Sequence, residues 1–97
     1  MTPPFYAYRF ARTVPADELG ATLALAVVAA ECLVGESRAS LDLVHAYDPD
    51  LRAVHIDAST PAGRVLCKLF VGLATREFGR GAVSVRRVAA QLEPATV

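Results

Sequence analysis

Residues Pro15–Gly35, PADELGATLALAVVAAECLVG, decide the fold. Proline suits a first helical turn, where a missing N–H costs nothing. Asp17 and Glu18 follow at the positive end of the helix dipole. Gly35 can take positive φ and close the helix. Leu19, Leu23, Ala26, Val27, Ala30 and Val34 recur at spacings of three and four, which makes one core-facing stripe. A second stripe remains in Leu25, Val28, Ala29 and Cys32, and only Thr22 and Glu31 are polar in the interior. A helix this apolar all round is buried on more than one side.

Two readings of that surplus fail. From Leu19 to Val34 the helix rises about 24 Å at ~1.5 Å per residue, short of a ~30 Å hydrocarbon core, and Glu31 interrupts it. As a secretory signal it has the wrong flank, because Asp17 and Glu18 stand where a basic region should meet the apolar one. The expectation is a helix with one face in the core and the other in an oligomer contact, at a cytoplasmic location. A membrane partner is not expected.

The chain has 97 residues and is more than half apolar, so one domain with a real core is expected over 1–97. Its ordered part should run from about 5 to 88, with 89–97 as a C-terminal tail and the first four residues as an extended arm. Ten basic side chains balance ten acidic ones, which argues against a dedicated nucleic-acid binder. Cys32 and Cys67 both fall in helical apolar patterns and read as buried free thiols.

Around the long helix the other elements fall into place. Phe5–Arg12, FYAYRFAR, alternates as a strand, with Tyr6, Tyr8 and Phe10 on one side and Ala7, Arg9 and Ala11 on the other. After a polar connection over 36–40, LDLVHAY (41–47) and RAVHIDA (52–58) flank Asp48-Pro49-Asp50 and read as a hairpin, with Tyr47 expected opposite Arg52. Ser59-Thr60-Pro61 is the clearest helix start: threonine caps and proline takes the first turn. Val65, Leu66, Leu69, Phe70 and Leu73 form that helix's apolar face, and Gly79 ends it. AVSVRRV (82–88) is the last strand.

The order β-α-β-β-α-β predicts an α+β, ferredoxin-like βαββαβ sandwich: a four-stranded antiparallel sheet, strands one and three central, with two helices on one face. The core should hold Leu23, Val27, Leu43, Val54, Ile56, Leu69, Phe70, Val83 and Val85. The other sheet face is left open.

No motif assigns chemistry. RNA-binding sheets of this kind stack bases on aromatics of both central strands, and the third strand offers only Val54, His55, Ile56 and Asp57. His45, His55, Cys32 and Cys67 lack the close spacings of a metal site. Thr13-Val14-Pro15 has no glycine run with which to cradle a phosphate on backbone amides. No catalytic residue, metal or cofactor is therefore assigned. The open face should collect Arg9, Asp42, His55, Asp57, Ser84 and Arg86 over a floor of small residues, with Arg9 near His55 and Asp57. That set suits cross-paired ions at a partner contact. The expected function is a non-enzymatic module that self-associates, as a dimer or higher, or docks another protein. The alternative is an anionic ligand site or a small enzyme on the same face. A weaker one is nucleic-acid binding.

Overall fold

The computed structural model describes residues 4–89. The elements are β1 (Pro4–Phe10), α1 (Ala16–Val34), α2 (Glu36–Asp42), β2 (His45–Asp48), β3 (Ala53–Asp57), α3 (Pro61–Phe78) and β4 (Val83–Ala89), with a single 3₁₀ turn at Arg80–Ala82. The strands form one antiparallel sheet in the order β2-β3-β1-β4, against which three helices pack. The order of elements is βαββαβ-like, and β1 and β3 are central as expected. The arm over 1–3 and the tail from residue 90 onward lie outside the described residues. Ala89, expected in that tail, ends β4.

The inner face of the sheet follows the alternation of β1. Tyr8 and Phe10 are buried, and both rings meet Phe70 of α3 edge-on, at 5.5 and 5.7 Å between centroids. Tyr6 packs beside them. On α1 the buried positions are Leu19, Leu23, Ala26 and Ala30. This is the three-and-four stripe, with Val27 half-buried against the same core. Tyr47 of β2 reaches α1, donating its hydroxyl to the Ala16 carbonyl at 2.6 Å. Thr60 caps α3 as predicted: its Oγ1 accepts from Gly63 N at 3.0 Å and donates to the Asp42 carbonyl at 3.0 Å.

Several expectations change. Residues 36–42 are a helix, where a polar connection and the start of a strand were expected. In that short window Leu41 and Leu43 satisfy a period of two, but Ala39 and Leu43 also satisfy i, i+4, and short apolar runs are ambiguous between the two. The helical spacing wins: Ala39 is buried, Leu43 packs on the core, and Leu41 is 80% exposed. Gly35, at φ 92°, is the only residue separating α1 from α2.

The hairpin register also shifts by two residues. Tyr47 pairs with Val54, not Arg52. The turn is longer because Asp48 Oδ1 accepts from the amides of Asp50 and Leu51. Arg52 sits at φ 51° and donates from its guanidinium to the Val14 and Pro49 carbonyls, both at 2.7 Å. An even shift preserves which residues share a face. Val85 lies opposite buried Tyr8, so it is on the inner face, yet it is 53% exposed because β4 is an edge strand. His45, on the other edge, is exposed for the same reason. Leu69 and Val83, expected in the core, are half-buried at its margin. Cys67 is buried but Cys32 is exposed. No helix among the described residues is long and apolar enough to cross a membrane.

Candidate functional site

The outer sheet face is built from the residues that alternate with the aromatics of β1. Directly opposed residues on antiparallel strands share a face, so the register assigns it. Phe5, Ala7 and Arg9 of β1 stand opposite Asp57, His55 and Ala53 of β3. On the other side, Arg9 stands opposite Ser84, and Arg86 holds the register position opposite Ala7. From β2, Ala46 faces His55 and Asp48 faces Ala53. The small-residue floor is therefore present, in Ala7, Ala46 and Ala53.

Of the six residues placed on this face from sequence, five hold outer-face positions and Asp42 does not. It ends α2, where its carboxylate meets Arg38 Nη1 at 3.5 Å and its carbonyl accepts from Thr60. Arg9 and Ser84 are brought side by side. Arg9 and His55 are diagonal neighbours, about 7–8 Å apart along such a ladder. Arg9 and Asp57 are not brought together: four register positions separate them, or about 13 Å along the strand. Asp57 is committed elsewhere, because its Oδ1 accepts from Ser59 N at 2.8 Å and shapes the turn into α3. Among the described residues the face holds no cross-strand ion pair; the one salt bridge is Arg38–Asp42.

The second candidate surface is the outer side of α1. Leu25 is 57% exposed, Val28 54% and Leu33 68%, and Cys32 is also exposed. Ala21 and Ala24 are exposed on the same helix. No charged residue occurs between Glu18 and Glu31. Leu33 was missed from sequence because it lies on neither stripe. Leu41 was missed because 41–47 reads as a strand in sequence, whereas Leu41 lies in α2.

Two buried groups titrate abnormally, and both belong to the core. Burial pushes the Tyr8 hydroxyl far above its ordinary range, assisted by its hydrogen bond to Cys67. Burial also pushes the Cys67 thiol up, and the same bond offsets this in part. Neither lies on a candidate surface. No group of three or more His, Cys, Asp or Glu side chains that could hold a metal ion occurs among the described residues. No family model, curated protein or solved structure matches the chain.

Proposed function

We propose that the protein is a self-associating module, with a ferredoxin-like sandwich as scaffold and the outer side of α1 as its contact with a second copy. The sheet order and the βαββαβ-like succession of elements support the scaffold, with α2 as an added helix. The observation that carries the function is the unburied apolar stripe of α1. Ala21, Leu25, Val28 and Cys32 follow spacings of four, three and four, the seam of a helix pair, and the alanines let two backbones approach.

An antiparallel second copy opposes the dipoles of the two α1 helices. Asp17 and Glu18 mark one end of α1, and Arg38, just past the other, is paired with Asp42 and lies beside Glu36, so the contact rests on its apolar stripe and not on charge pairing.

The magnitude sets the strength. Covering the exposed half of Leu25, Val28 and Leu33 contributes roughly 1 kcal/mol per side chain, or about 6 kcal/mol over two copies. Association costs about 4–15 kcal/mol in lost freedom. The contact must therefore recruit the alanines and Leu41 to approach the ~800 Å² per partner of an ordinary interface. It should be concentration-dependent in the micromolar range. Light scattering across that range should show the mass rising to twice that of the monomer, and Leu25→Glu with Val28→Glu should hold it at the monomer. A monomeric mass for the native chain up to about 1 mM, where association is worth only about 4 kcal/mol, overturns the proposal. A dimer that survives the double substitution moves the contact to the sheet face, to be tested with Arg9→Glu and His55→Glu.

A further inference from the structure

At the end of the sheet where β1 gives way to α1, a cavity of about 360 Å³ opens between three chain segments. Arg9, Arg12 and Ser84 line it, with Leu51 from the β2–β3 turn and Gly81 and Val83 from the approach to β4. None of its lining residues is acidic. Among the arginines with described side chains, Arg38, Arg52 and Arg64 have partners and Arg9, Arg12, Arg76 and Arg80 do not, and of those four only Arg9 and Arg12 line the cavity. Arg38 pairs with Asp42, Arg52 bonds the Val14 and Pro49 carbonyls, and Arg64 bonds the Ala58 carbonyl. Arg9 and Arg12 make no hydrogen bond or ion pair to any described residue. Both therefore present their full set of guanidinium donors to whatever enters the cavity.

The walls are held in place independently of any ligand. Arg9–Ser84 and Phe10–Val83 are paired positions of the β1–β4 ladder. The Leu51 wall is fixed by the Asp48 bonds to the turn amides and by the Arg52 bond to Val14. Such preorganisation lowers the ordering cost of binding. At about 360 Å³ the cavity is at the small end of the ~300–1,000 Å³ range of small-molecule sites.

We propose that this cavity binds a small phosphate monoester, with Arg9 and Arg12 pairing to the phosphate, Ser84 donating to it, and the organic group resting against Leu51 and Val83. Two guanidinium charges match a phosphate monoester, which carries about −1.5 to −2 near neutral pH. A single carboxylate leaves one guanidinium charge unmatched. Guanidinium forks suit phosphate geometry, so the site does without the amide cradle that the β1–α1 connection lacks. The volume accommodates one small molecule.

The site is separate from the α1 contact, and the test keeps them apart. Amide resonances are followed by NMR during titration with phenyl phosphate, and in parallel with inorganic phosphate and with acetate. Phenyl phosphate should shift the amides of Gly81, Ser84 and Leu51 saturably and bind more tightly than inorganic phosphate, with acetate weakest. Arg9→Gln and Arg12→Gln should each weaken binding at least about tenfold, as the loss of a charge-assisted bond implies. Lys68→Gln, on the exposed side of α3, should leave binding unchanged, as should Leu25→Glu with Val28→Glu. No saturable shift at these amides by about 20 mM phenyl phosphate, weaker than any useful affinity, overturns the proposal. Equal binding of acetate and phenyl phosphate overturns it too, as does a doubly substituted Arg9→Gln, Arg12→Gln chain that binds within twofold of the native one.

Discussion

Adding one methyl group to α3 should have opposite effects at two glycines. Gly63 lies in the first turn, buried where the helix meets the end of β3. A Cβ built there falls inside the van der Waals shell of the Asp57 carbonyl oxygen, with the Asp57 carbonyl carbon and Thr60 Oγ1 each at 3.1 Å. The obstacle is backbone held in the sheet, since Asp57 N donates to the Val44 carbonyl at 2.9 Å. The helix start must therefore move by on the order of 1 Å. That movement strains the bond from Gly63 N to Thr60, a cap worth about 1 kcal/mol. It also unseats Ala62 and Leu66, both fully buried, and overpacking of this kind costs about 1–3 kcal/mol. The better helix propensity of alanine returns about 1 kcal/mol. The net expectation for Gly63→Ala is a loss of about 1–3 kcal/mol. Gly72, on the same helix, is exposed, and a Cβ there meets nothing within 4 Å. Gly72→Ala should therefore stabilise by about 0.5–1 kcal/mol. At about 4–8 °C per kcal/mol for a chain of this size, the variants should differ in melting temperature by roughly 6–32 °C. Urea unfolding followed by circular dichroism, at one fixed protein concentration so that any association cancels, measures both. A Gly63→Ala chain as stable as the native one refutes the close seating of α3 on β3.

Other consequences are simpler to check. Thr60→Ala removes the cap and the bond to the Asp42 carbonyl, and should cost about 1–2 kcal/mol by the same unfolding assay; a loss below about 0.3 kcal/mol would contradict the arrangement. In dilute solution, below the concentration at which α1 would pair with a second copy, a thiol reagent should label Cys32 at once and Cys67 only on unfolding, because in the single chain one is exposed and the other buried; two thiols reacting at equal rates in the folded monomer would argue against it. Stability should fall in alkali. The folded values of Cys67 and Tyr8 are raised, so their contribution is intact below the ordinary values of 9.0 and 10.0. Above these the unfolded chain releases protons that the folded chain retains, and stability declines by up to about 1.4 kcal/mol per pH unit for each group. Tyr8→Phe should flatten the decline above pH 10.0, and an unchanged slope would show that Tyr8 is not the group responsible.

The sequence by itself determined the features that depend on local periodicity and local chemistry. The α1 stripe at Leu19, Leu23, Ala26 and Ala30 is a three-and-four spacing, and it is the buried side. The aromatics of β1 could be assigned to the inner face because Arg9 alternates with them. Thr60-Pro61 marks the start of α3 because a cap needs one hydroxyl and a first turn tolerates proline. These signals also give the order of elements, and the chirality of crossovers then places β1 and β3 in the centre.

What tertiary structure alone decided is how each position is covered and what distant segments bring together. Leu41 and Val85 are as apolar as their neighbours, yet they are exposed, one because 36–42 is helical and the other because β4 is an edge. Cys32 lies in the same kind of pattern as Cys67, but nothing described packs over it. Arg9 and Asp57 share a face without meeting, since their separation depends on the register between β1 and β3, strands far apart in the chain, and the hairpin register of β2 on β3 depended on a turn lengthened by Asp48 and held by Arg52. The cavity at Arg9 and Arg12 draws on residues near 10, 51 and 82. No spacing within any one segment encodes it, because its shape comes from the packing of three separately determined pieces of chain.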